Sequence, residues 1–171
     1  MIKTEGLLGR PFQHGVSDCY SLMRDFYRIN FGIDVPDIAR PNNWWEPDAE
    51  GKHLNLYLDH YSWAGFSIMT SMRPLDWRPG DVILMAIRSS VANHGAILLP
   101  DGKIIHHLAG YLSQIEPYSR PLYRDTTVAI LRHPEVDPDK LHQETEIDAW
   151  ELVPKRIRDQ LEDARQGTLD V

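Results

Sequence analysis

The sequence predicts an α+β domain, a helical half followed by an antiparallel sheet, on three observations. "SDCYSLMRDFYRINFG" (17–32) sets apolar residues at three- and four-residue steps; the middle of the chain is irregular and rich in tryptophan and proline; and four short runs of Ile, Val and Leu, separated by turn residues, fill the stretch from 81 to 133. A chain of 171 residues has room for one domain whose core needs neither disulfide nor metal, and its single cysteine excludes an intrachain disulfide.

The first element is a helix from about Ser17, with Cys19, Leu22, Met23, Phe26 and either Tyr27 or Ile29 on one apolar stripe. Ser17 or Asp18 suits its N-cap, and Gly32 suits the left-handed stop after it. Residues 33–78 hold "VPDIARPNNWWEPDAEG", a further helical piece around "HLNLYLDHYSWAGF" and four of the five tryptophans. His53 and His60, seven apart on that piece, read as surface residues on one face. After the turn "RPGD" come the strands "VILMAI", "HGAILL", "KIIHHL" and "TTVAILRH".

The turn "PDG" (100–102) fixes a register. A three-residue hairpin loop, with proline at its first position and glycine in the left-handed one, sets Leu99 opposite Lys103 and Ala96 opposite His106. His94 and His106 then share one sheet face, one pleat apart. A two-residue "DG" loop would bring His107 to that face instead, but would force Pro100 to pair without an N–H.

Charge divides the chain into two units, 1–133 and 134–171. The first carries 14 acidic and 13 basic side chains, the second 11 acidic and five basic, so the extension holds most of the net charge of −7. Pro134 and Pro138 break regular structure at the boundary; beyond it Ile147, Trp150, Ile157 and Leu161 recur at helical spacing, interrupted at Pro154. This reads as an acidic, mostly helical extension docked on the body. With no basic stripe to replace counterions on phosphate, nucleic acid is excluded as a partner. The N-terminus lacks an apolar signal-peptide core and no run approaches a membrane span, so neither export nor membrane insertion is expected.

Cys19 in the first turn of a helix sits where unpaired N–H groups and the macrodipole favour an anion, which would make its thiol more acidic than a free one. The competing reading is a small buried packing residue. Chemistry at Cys19 needs a histidine base and a group to orient that base. His94 and His106 fit by position, although a histidine pair across a hairpin also suits a metal site or two packed imidazoles.

"SDCYSL" at a helix start, "RPGDVILM", "NHGAILL" and a histidine twelve residues after His94 resemble the NlpC/P60 cysteine peptidases. Within that family, "GRPFQHGVSDCYSLMRDFY" and the "WW" segment are most similar to the peptidase domain of lambda-type phage tail tip proteins, over about residues 6–133. The resemblance implies a papain-like fold and hydrolysis of peptidoglycan stem peptides between D-γ-glutamate and diaminopimelate. It implies Cys19 as nucleophile, His94 as general base and His106 as the orienting third residue, with no metal and no cofactor. Trp44, Trp45 and His14 become candidates for substrate contact, with core packing the alternative for the tryptophans. Peptidoglycan and tail tip or hub proteins become the expected partners, and a virion tail tip assembled in the host cytoplasm the expected location. A zinc site built from His94, His106 and His107 is disfavoured, because alternation along a strand sends the last two to opposite faces.

One departure stands out. Many members of the family carry a tyrosine shortly before the nucleophile, whose hydroxyl helps position the thiol or the oxyanion, where this chain has Phe12. Either His14 or a backbone N–H substitutes, or turnover is slower, since losing one oxyanion donor costs roughly 2.7 to 4 kcal/mol of barrier. The departure keeps open a second expectation: a structural tail-hub protein that retains the fold with little catalysis.

Overall fold

The computed structural model describes residues 2–141, together with 155 and 157. The helix expected in the extension therefore lies largely outside the described residues, with only Lys155 and Ile157 seen, both helical.

Helix α1 (Cys19–Phe31) begins at an Asp18 cap and ends at Gly32, whose φ of 75° is the left-handed stop. Asp18, not Ser17, is the N-cap: its carboxylate accepts from Ser21 N–H at 2.9 Å, and Ser21 Oγ accepts from Asp18 N–H at 2.7 Å. The carboxylate wins because it also accepts from Gly15 N–H at 2.8 Å and carries the charge the helix start favours. Leu22, Met23, Phe26 and Tyr27 are buried against the sheet, while Ile29 is only partly covered.

The segment after α1 is mostly irregular. The helical piece anticipated there is confined to the five residues of α2 (Leu56–His60); beyond it the chain turns, and Gly65 takes a φ of 89° to bury Phe66. His53 lies in the loop before α2, so the two histidines do not share a helix face; His60 Nδ1 lies 2.9 Å from Leu56 O and His53 Nδ1 3.1 Å from Trp45 O.

The sheet has six antiparallel strands in the order β1-β6-β2-β3-β4-β5, formed by Ser67–Ile68, Val82–Met85, His94–Leu98, Lys103–His106, Gln114–Pro117 and Thr127–Arg132 in chain order. Every residue of β2 and β3 is buried, which explains why these strands read as continuous apolar runs rather than alternating ones. One layer over the sheet is α1, which meets Val82, Leu84, Ile97 and Ile105; the other face carries Ile83, Ala96 and Ile104 beneath Trp77 and Tyr123, the latter from the short helix α3 (Pro121–Thr126). The hairpin register is the one the three-residue loop predicts, Ala96 opposite His106, although both Asp101 and Gly102 are left-handed rather than the glycine alone.

Two ties lock the layers. Tyr27 of α1 donates its hydroxyl to Gly80 O at 2.5 Å, just before β2. The beginning of the extension also packs on the body: Val136 lies against Gly80 and Phe31, and Leu141 is fully buried in the core beside α1.

Candidate active site

Cys19 is the first residue of α1 and His94 the first of β3, so each is delivered by the start of a regular element. Both line one groove of about 480 Å³, together with Trp44, Trp45, His14 and Tyr57. The helix start is held rigidly. Arg40 Nε donates to Asp18 at 2.7 Å, its other nitrogens donate to Asp37 and to the carbonyls of Ile38 and Gly15, and its guanidinium lies 4.9 Å above the Tyr20 ring. Asp18 and Arg40 side chains are only 3% and 2% exposed. Burial alone would raise the Asp18 carboxyl, but hydrogen bonds from Ser21, Arg40 and Gly15 and the Arg40 charge hold it below the ordinary carboxylate range.

Behind His94 runs a buried chain of ring and carboxylate groups. His94 Nε2 lies 3.1 Å from His106 Nδ1, and His106 Nε2 lies 3.1 Å from Glu116 Oε2. Glu116 is bound in turn by the Tyr123 hydroxyl and by Arg120. Burial alone would raise Glu116, yet these hydrogen bonds and the Arg120 charge keep it below its ordinary value and therefore ionised. An ionised acceptor at Glu116 assigns the proton of neutral His106 to Nε2, which leaves Nδ1 to accept from His94 Nε2–H. His94 is thereby left with a bare Nδ1, the lone pair a general base requires.

At rest the pair is neutral. Burial, with the nearby His106 and His107, pushes His94 down to about 3. Burial, reinforced by the negative Asp18, pushes the Cys19 thiol up despite hydrogen bonds from Tyr57 and Gly95 and the charge of Arg40. The acidic thiol expected from the helix start alone is thus corrected: burial disfavours the thiolate, and the cap already places a carboxylate beside it.

The remaining expected residues fall as follows. His14 and Trp45 flank the groove in edge-on contact at 5.5 Å, with His14 Nε2 3.0 Å from Pro41 O. Trp44 is buried, edge-on to Trp45 at 5.8 Å and to Tyr57 at 5.2 Å, so it serves the core as well as the groove. His107 lies outside the His94–His106–Glu116 chain and packs edge-on against Phe12 at 5.2 Å. Among the described residues, no group of three His, Cys, Asp or Glu side chains is arranged to hold a metal ion.

Three participants escape sequence reasoning. Glu116 lies on β5, a four-residue strand ending in proline, where a single Gln-Ile-Glu alternation was the one available signal. Arg40 sits in an irregular segment with no periodicity to place it. Tyr57, whose hydroxyl is 3.2 Å from Cys19 Sγ, occupies a helix too short to display a face.

The NlpC/P60 family model matches residues 9–132. The chain is 42% identical over 121 residues to tail tip assembly protein K of Escherichia phage lambda, covering 70% of this chain and 56% of that one. It is 35% identical over 135 residues to the protein of the same name from Escherichia phage N15, covering 76% and 50%. The chain thus spans about half the length of these relatives. Among solved structures, an NlpC/P60 family protein from Bacillus cereus aligns over 68% of this chain and 31% of its own at 22% identity, with a TM-score of 0.38. The match of the NlpC/P60 family model over residues 9–132, most of the described body, establishes that the chain belongs to the NlpC/P60 family, with that family's α+β, papain-like architecture.

Proposed function

We propose that this chain is a cysteine endopeptidase of the phage tail tip that hydrolyses peptidoglycan stem peptides, at a D-γ-glutamyl-diaminopimelate type bond, during wall penetration and genome delivery. The observation that carries the reading is the placement of Cys19 and His94 on the wall of one groove, with His94 backed by His106 and Glu116. In this reading Cys19 Sγ attacks the isopeptide carbonyl carbon as its proton passes to His94 Nδ1. His106 steadies the imidazolium through the Nε2–H bond, and the C–N bond breaks as His94 returns the proton to the leaving amine. Water, activated by the same imidazole, then hydrolyses the thioester to free carboxylate and thiol. The Cys19 N–H, at the first position of α1, has no intrahelical acceptor and is available to the oxyanion.

The groove supports an acidic substrate. Arg88 lines it on the loop before β3, with a left-handed φ of 50°, and Asn93 braces that loop by donating to Ile87 O at 3.0 Å and accepting from Ile87 N–H at 2.9 Å. A guanidinium there complements the carboxylates that D-glutamate and diaminopimelate present. The partners in this reading are peptidoglycan and tail hub proteins, with residues 1–133 as the peptidase unit and the acidic residues 134–171 as the extension facing the hub.

The test is release of new amino groups from Gram-negative peptidoglycan by the purified chain, with Cys19→Ala as the control. Release by wild type alone supports the proposal; no release, together with normal infection by Cys19→Ala virions, overturns it. A structural hub role is the second reading, favoured by the burial and raised pKa of Cys19. A thiol inert to iodoacetamide would support it.

A further inference from the structure

Tyr57 brings the one side-chain hydroxyl that touches the Cys19 sulfur among the described residues, 3.2 Å from it. The sulfur is in turn the one hydrogen-bond partner the hydroxyl has among them. A buried phenol is ordinarily tied to a carbonyl or carboxylate, as Tyr27 is to Gly80 and Tyr20 to Pro36 O at 2.7 Å. Tyr57 instead spends its bond on a weak acceptor at the head of the groove. Its ring cannot turn away: Tyr20 stacks on it at 5.9 Å with an interplanar angle of 11°, and Trp44 closes against it edge-on at 5.2 Å. Tyr57 also lines a small pocket behind the groove, whose walls include Met23, Ile38 and Phe66, and its hydroxyl makes no hydrogen bond on that side among the described residues.

We propose that Tyr57 is a catalytic hydroxyl that holds the Cys19 sulfur at rest and donates to the carbonyl oxygen once the sulfur–carbon bond forms. The inference rests on the peptidase reading above. As Sγ bonds to the carbonyl carbon, the C=O π pair moves to oxygen and the thiol proton goes to His94. The sulfur, now sharing its electrons with carbon, is a poorer acceptor than the new oxyanion two bonds away, and the Tyr57 O–H turns to it without giving up its proton. When the pair returns to re-form the carbonyl, the amine leaves with the proton from His94 and the hydroxyl falls back to sulfur. Burial keeps the phenol protonated, well above its ordinary range, so it remains a donor throughout neutral pH. The position also accounts for Phe12: with the hydroxyl supplied from α2, the upstream ring is free to pack on His107.

Tyr57→Phe keeps the stacked ring and removes only the donor. Two readouts are needed: kcat and KM on a stem-peptide substrate, and the pH dependence of Cys19 alkylation by iodoacetamide, with thermal unfolding to verify the fold. The expected result is a kcat lower by about 10²- to 10³-fold with KM within twofold, and an alkylation midpoint moved to higher pH. A folded variant whose kcat stays within threefold of wild type, or whose alkylation profile is unchanged, overturns the proposal. If wild type cleaves no peptide, the peptidase reading fails on its own, and an unmoved alkylation midpoint still sinks the role of Tyr57. Should Tyr57→Phe not fold, 3-fluorotyrosine at the same position strengthens the donor and must move the midpoint to lower pH; no movement counts against the inference.

Discussion

His94 Nε2 and His106 Nδ1 face each other across 3.1 Å inside the protein, nitrogen edge to nitrogen edge with the ring planes turned 76° to one another, and His106 is wholly excluded from solvent. Two neutral imidazoles can share one hydrogen bond only if their tautomers are matched, and Glu116 at the far end of the chain sets that match. Glu116→Leu removes the acceptor and frees His106 to adopt the tautomer that clashes with His94 Nε2–H. Glu116→Gln keeps an acceptor oxygen but loses the charge. Peptidase kcat should fall by about 10² to 10⁴ for Glu116→Leu and by clearly less for Glu116→Gln, with KM little changed in both, as expected when the wrong tautomer is selected. Equal losses for the two variants would point to packing rather than proton placement.

Arg40 and Asp18 form a buried ion pair, and removing one partner leaves the other charge stranded. Arg40→Met should destabilise the fold by about 3 to 5 kcal/mol, read from urea unfolding midpoints, and the double variant Arg40→Met/Asp18→Asn should recover part of that loss. The absence of any recovery would refute the coupling.

Stability should decline steadily on acidification. His94 and His106 bind protons more weakly in the folded chain than in the unfolded one, because burial disfavours their charged forms. Their contribution is complete above the unfolded histidine pKa of about 6.5 and is lost as pH falls from there toward about 3, the folded value for His94. Asp18 and Glu116, held below their ordinary values, add a loss in the same direction once pH drops below about 4. Urea midpoints at pH 7.5, 6 and 5 should fall in that order, and His94→Asn should flatten the slope; a maximum near pH 5 would contradict this.

If the groove takes an acidic stem peptide, as proposed, Arg88 is the side chain that answers to its charge. Arg88→Gln should raise KM about tenfold for a stem peptide with free carboxylates and leave KM for its amidated counterpart within twofold, the difference expected from one lost ionic contact of about 1.4 kcal/mol. Equal effects on the two peptides would assign Arg88 to the loop alone.

Gly80 has a φ of 94°, and a Cβ there would lie 2.6 Å from Val136 Cγ1, while its carbonyl receives the Tyr27 hydroxyl. Gly80→Ala should therefore cost more than about 1 kcal/mol, by loosening both α1 and the start of the extension. Thermal unfolding measures it, and a neutral outcome would show that the extension does not bear on the body.

Local periodicity made α1 legible, short runs of Ile, Val and Leu between turn residues made the central strands legible, and the chemistry of proline and glycine in "PDG" made the His94–His106 register legible. What remained hidden has a common physical cause. Arg40, Tyr57 and Glu116 reach Asp18, Cys19 and His106 from a coil, a one-turn helix and a four-residue strand. Elements so short carry no repeat, and the contacts are made by side-chain reach across the fold rather than by backbone pattern. The same limit explains the thiol: the helix start was visible in the sequence, while the desolvation that reverses its effect came only with the packing around it.

The Asp18 cap at the start of α1 has a chemical consequence for the lifetime of the protein. Peroxide and other oxidants attack thiolates far faster than thiols. Burial, with a carboxylate beside it, leaves Cys19 7% exposed and its proton retained, which keeps the chain's only cysteine off the path to sulfenic and sulfinic acid; in the peptidase reading that protection lasts until a substrate carbonyl is in place.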